Sequence, residues 1–100
     1  MSRSTYSQHV VEDRRLAILR ILEGSPEYRA NLYLIQRMLA SFGHSASLDA
    51  LKTDLAWLAE QGLIEIDSVG NVEIPQILAR GLDVACGRAT VPGVARPMPD

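Results

Sequence analysis

Ser47-Leu-Asp-Ala-Leu-Lys-Thr-Asp-Leu-Ala-Trp-Leu-Ala-Glu-Gln-Gly62, running directly into Leu63-Ile-Glu-Ile-Asp67, is the stretch that decides how this chain is built. Leu48, Leu51, Leu55 and Leu58 recur at the spacing that aligns one apolar stripe on a helix. Ser47 can accept a hydrogen bond from an unpaired N–H of the first turn, and Gly62 can take the left-handed conformation that closes the last one. Beyond that stop, Leu63, Ile64 and Ile66 have the apolar, mostly branched composition of a strand. The stretch reads as a capped helix that feeds a short hairpin.

Upstream, residues from about His9 to Glu23 read as a first helix. Glu12 and Asp13 sit in its early turns, where carboxylates suit the positive end of the helix, and Gly24 follows its end. Val11, Leu16, Ile18, Leu19, Ile21 and Leu22 occupy more than one of its faces, so the helix needs two covers. One is the core; the other is either the C-terminal segment or a partner subunit. Gly24-Ser25-Pro26-Glu27 is turn chemistry, with Pro26 barring continuation. A second helix follows from about Asn31, its cap, to Ser41, with Leu32, Ile35, Leu39 and Phe42 toward the core. Gly43 ends it, and Gly43-His44-Ser45-Ala46 is as short a link as a helix-turn-helix requires.

Downstream, strands are expected at Leu63–Asp67 and Val72–Ile77, joined through Ser68-Val69-Gly70-Asn71, where Gly70 and Asn71 can take positive φ. Pro75 limits the second strand to an edge. A short helix from about Ala79 to Ala85 brings Leu82, and with it Ala85 or Cys86, to the core. After Gly87 the chain is rich in Pro and Gly and has no period, which predicts an extended arm or a disordered tail. The fold expected is mainly α with a small β-hairpin: a winged helix-turn-helix over residues 9–86, after a polar lead-in (1–8) and before an extended C-terminal arm (87–100).

The whole chain has 100 residues, of which 47% are apolar, enough for one small domain with a modest aliphatic core. A single cysteine, Cys86, excludes an internal disulfide and a cysteine metal cluster, and fits a reducing compartment. No apolar run approaches a membrane span, and the N-terminus lacks the apolar core of a signal peptide. The formal charge of −2 gives no compositional argument for nucleic acid.

No constellation of catalytic residues is visible. His9 and His44 have no neighbouring ligand at metal-binding spacing, and Gly24, Gly43 and Gly62 are helix stops rather than a phosphate cradle, so neither metal nor cofactor is expected. DNA binding would rest on the helix opening at Ser47, whose outward positions are Asp49, Thr53, Ala56 and Glu60 with Lys52 at the flank. Lys52 is the only basic residue between Ser47 and Ile74, against Asp49, Asp54, Glu60, Glu65, Asp67 and Glu73. Asp49 could accept from a cytosine amino group and Thr53 could touch a thymine methyl, with Ser47 and Lys52 beside them, while His44 in the turn is either a capping or solvent-exposed residue or a phosphate contact. Phosphate contacts would have to come from elsewhere, from Arg37 and from Arg88 and Arg96 in the arm. Trp57 lies off the leucine stripe; packed beneath the hairpin it is core, exposed it anchors a partner, with Arg15 of the first helix as a second partner contact.

Several segments carry a resemblance: Glu12-Asp-Arg-Arg-Leu16, Phe42-Gly-His44, Asp54-Leu-Ala-Trp-Leu-Ala-Glu-Gln-Gly-Leu-Ile64, Arg80-Gly-Leu-Asp-Val-Ala85, Gly87-Arg88, Val91-Pro-Gly-Val94 and Arg96-Pro97. The chain resembles a family of small proteins from Mu-like transposable phages and prophages, often labelled ArsR-like winged-helix regulators. That resemblance implies a phage protein in the cytoplasm of a host bacterium and an arm that is a family trait. ArsR repressors that sense metals carry cysteines in the recognition helix; this one has neither cysteine nor histidine, so metal response is not implied. Two functions are expected in competition. One is a dimeric regulator or DNA-handling protein on duplex DNA. The other is a winged-helix adaptor that binds another phage protein.

Overall fold

The computed structural model describes residues 3–98. It is mainly helical, with four α-helices, one 3-10 turn and a two-stranded antiparallel hairpin. In chain order these are α1 (Arg3–Glu23), the 3-10 turn (Pro26–Tyr28), α2 (Leu32–Ser41), α3 (Leu48–Glu60), β1 (Ile64–Val69), β2 (Val72–Ile77) and α4 (Ala79–Ala85). The element order and the three inner helix boundaries follow the expectation from sequence closely.

α3 is held as its sequence suggests. The Ser47 hydroxyl accepts from the Ala50 N–H at 3.1 Å, and Gly62 closes the helix at φ +74°. Leu51, Leu55 and Leu58 are completely buried, so the leucine stripe forms the floor of the core. α2 packs across it through Leu32, Ile35 and Leu39. Asn31 caps α2 by accepting from the Leu34 N–H at 2.8 Å. Phe42 does not join this core face as expected: it sits at the C-cap, where the helix is ending, and is turned outward.

The hairpin is tighter than expected. Ile64 pairs with Ile77 and Val69 with Val72, leaving only Gly70 and Asn71 in the turn, with positive φ at Gly70 alone. Pro75, opposite Ile66, has no N–H to give, and its carbonyl accepts from the Ala30 N–H on the outer side. Together with the Arg29–Gln76 bridge, this fastens the start of α2 to the free edge of β2. α4 then returns against α1, with Gly81 so close to the Leu63 carbonyl and Ile77 that no side chain fits between them.

Two expectations at the ends of the chain are corrected. α1 runs from Arg3 rather than from near His9, because nothing in the polar opening breaks a helix and Tyr6, Ser7 and Gln8 are exposed and need no cover. The arm, irregular as its Pro and Gly content suggests, is not detached. Val91 and Val94 are buried, the Ala95 N–H donates to the Glu12 carbonyl at 3.1 Å, and Arg15 Nη1 donates to the Gly93 carbonyl at 3.0 Å. The arm is therefore the second cover of α1, supplied from within the chain.

Candidate functional site

The arm, α1 and α3 meet at a charged cluster that lies inside the molecule. Asp54 is only 2% exposed. A carboxylate so far from water is tolerable when it is paired, and α1 provides two guanidinium groups. Arg14 Nε donates to Asp54 Oδ2, and Arg15 Nε stands 3.6 Å from Oδ1. The Arg15 guanidinium carbon also lies over Trp57, 3.9 Å from the ring centroid. Gly93 closes the stack at φ +101°; a Cβ there would stand 2.6 Å from Trp57 Cζ2.

This cluster changes the charge map. Asp54 belongs to the inner side of α3, not to its outward acidic face. The signal was present in the sequence: Leu51-x-x-Asp54-Leu55-x-x-Leu58 puts the aspartate on the buried stripe, and Arg14-Arg15 is a matching pair in α1. Arg15 and Trp57, expected as partner contacts, are brought together, but their contact is with the chain's own arm.

The residues proposed to face DNA are scattered in role. Ser47 is occupied as the α3 cap. The Thr53 hydroxyl donates back to the Asp49 carbonyl at 2.9 Å, and both residues are on the exposed side of α3 with Lys52. Arg37 is exposed on α2. Arg88 donates from Nε to Asp83 Oδ1 at 3.0 Å, and this hydrogen bond raises its already high pKa. Arg96 is exposed at the edge of a cleft.

That cleft, of about 560 Å³, lies between the first half of α1, the α2–α3 link and the end of the arm. On it His44 Nε2 stands 2.7 Å from Asp13 Oδ2. A carboxylate can only accept, so Nε2 carries the proton of this bond. His44, expected either as a capping or solvent-exposed residue or as a phosphate contact, is thus tied to α1 and largely buried. Tyr6, Phe42 and Met98, all exposed, line the same cleft.

Among the described residues, no group of three or more His, Cys, Asp or Glu side chains converges on a possible metal position. Among the same residues, no helix is long and apolar enough to cross a membrane.

Fold and cluster together define a small helix-and-hairpin domain fastened by its own C-terminal arm. The chain is 41% identical over 90 residues to "Uncharacterized protein gp26" of Escherichia phage Mu, covering 90% of this chain and 93% of that protein, and it belongs to the same phage protein family. It is also 38% identical over 63 residues to an uncharacterized protein of Haemophilus influenzae, covering 63% of this chain and 61% of that one. No protein-family model matches the chain.

Proposed function

We propose that this chain is a phage winged helix-turn-helix domain that works by binding another protein rather than by reading duplex DNA. The observation that carries this reading is the disposition of charge. Arg14 and Arg15 turn inward to Asp54, Arg88 is paired with Asp83, and His44 is tied to Asp13. Outward, α3 offers Asp49 and Glu60 against Lys52, and the hairpin adds Glu65 and Asp67. Most non-specific affinity for DNA comes from neutralised phosphates, which such a face opposes. Large apolar side chains meanwhile stand exposed on α2 and at its end.

DNA binding is the second reading. Arg37, Lys52 and Arg96 favour it: all three are exposed, and among the described residues none is in an ion pair. A mobility-shift titration on a labelled duplex at about 50 mM salt separates the two. The protein-binding reading expects no retardation. Retardation that weakens with salt, and whose salt dependence flattens in Lys52→Ala or Arg37→Ala, would establish the second reading in its place.

A further inference from the structure

α2 turns Leu32, Ile35 and Leu39 inward, and one flank of the same helix is also apolar. Leu34, Met38 and Phe42 follow one another at four-residue spacing and are 38%, 41% and 40% exposed. Leu34 and Met38 lie one above the other on the helix as a short ridge, and Phe42 stands exposed at its C-cap end. Tyr33 stands exposed beside its start. At its other end Phe42 opens into the cleft with Tyr6 and Met98, which extends the apolar surface past the helix. A monomer gains nothing by holding such a surface in water, and contiguous patches of this kind mark docking sites.

Charge selects what docks. From Tyr28 to Leu48 there is no aspartate or glutamate, while Arg29, Arg37 and His44 fall in that span. Arg37 is the chain neighbour of Met38, and Arg96 adds a cation at the cleft, where the one acid among the lining residues, Asp13, is held by His44. A second copy meeting this ridge about a two-fold axis at Met38 would bring the two Arg37 side chains together, with no acid on α2 to separate them. A second copy offering its acidic hairpin instead would leave both surfaces free at either end, and such head-to-tail contacts propagate into open chains unless the rotation closes a ring. We propose that the exposed face of α2 is the docking surface for an amphipathic helix of a different protein, apolar along one side and rimmed with aspartate or glutamate. This rests on the protein-binding reading and specifies its site and partner chemistry.

The test uses the full chain and two displayed peptide libraries. Both have apolar residues at helical core spacing; the remaining positions are Asp and Glu in one and Lys and Arg in the other. Enrichment from the acidic library is expected, with affinity falling roughly tenfold or more in Met38→Glu and Leu34→Glu, and less steeply in Arg37→Glu. These positions are exposed, so circular dichroism and thermal midpoint should match the parent. Leu34→Lys and Met38→Lys keep the inference falsifiable if a glutamate variant fails to fold. Enrichment from the basic library alone overturns the inference. So does binding that ignores the α2 variants but responds to changes on α3 or the hairpin, although the protein-binding reading then survives. Light scattering that shows a dimer dissolved by Met38→Glu replaces the proposed occupant with a second copy. No enrichment from either library, together with duplex retardation, removes both readings.

Discussion

The Arg15 guanidinium lies 3.9 Å from the centroid of the Trp57 ring, with the Gly93 carbonyl at 3.0 Å on one of its nitrogens and Asp54 at 3.6 Å from another. One side chain thus joins α1, α3 and the C-terminal arm. Arg15 therefore acts first as an internal fastener.

Replacing Asp54 should be costly. Asp54→Ala leaves Arg14 and Arg15 without their carboxylate. Removing one partner of a buried pair costs about 3–5 kcal/mol when the survivor stays dry. Here the arginine side chains keep 15% and 17% exposure and can rehydrate in part. A loss of about 2–3 kcal/mol is expected in urea unfolding. A change below half a kcal/mol, roughly the value of an exposed pair, would show that the cluster carries little stability.

Gly93→Ala tests the seating of the arm. The position combines φ +101° with a Cβ site 2.6 Å from Trp57 Cζ2. Either the backbone strains or the arm lifts off, and a cost of about 1–3 kcal/mol follows. Lifting should also red-shift Trp57 emission and expose the arm to protease. A variant with unchanged emission and unchanged cleavage would contradict the seating.

Asn31→Ala removes the acceptor for the Leu34 N–H and should cost about 1 kcal/mol. Asn31→Ser, which keeps an acceptor there, should recover most of it. Equal loss in both would assign the effect to something other than capping.

Arg88→Ala should lower the urea midpoint at pH 7 only slightly, because the Arg88–Asp83 pair is exposed. The hydrogen bond to Asp83 raises the already high Arg88 pKa further. The stabilisation so linked is fully present below the unfolded pKa and is lost only as pH rises through the raised folded value. A loss of stability between pH 6 and 9 that disappears in Arg88→Ala would refute this.

Most of the local structure could be read from the chain alone. The Leu51, Leu55 and Leu58 stripe, the Ser47 and Asn31 caps and the Gly62 stop are short-range signals, and each appears where spacing and side-chain chemistry put it. They could be read because the interactions involved close within one or two helical turns. Phe42 is the exception. Periodicity carried it onto the buried stripe, but α2 ends there, and the side chain follows the end of the helix rather than its repeat.

The long-range contacts could not be read in that way. Asp54 and the Arg14–Arg15 pair are forty residues apart, and their meeting depends on how α1 crosses α3. Counted along the sequence, Asp54 was one more acid in the stretch from Ser47 to Ile74; in the folded chain it is the buried counter-charge of two arginines. The arm behaves similarly. Its Pro and Gly content determines that it forms neither helix nor strand, yet says nothing of where it lies. That depends on Val91 and Val94 becoming buried, and on Gly93 having no Cβ to meet the Trp57 ring. Local pattern dictates the helices and the hairpin because its energies are paid out within a turn. Which charges remain outside to meet a partner depends on contacts between segments that local pattern does not encode.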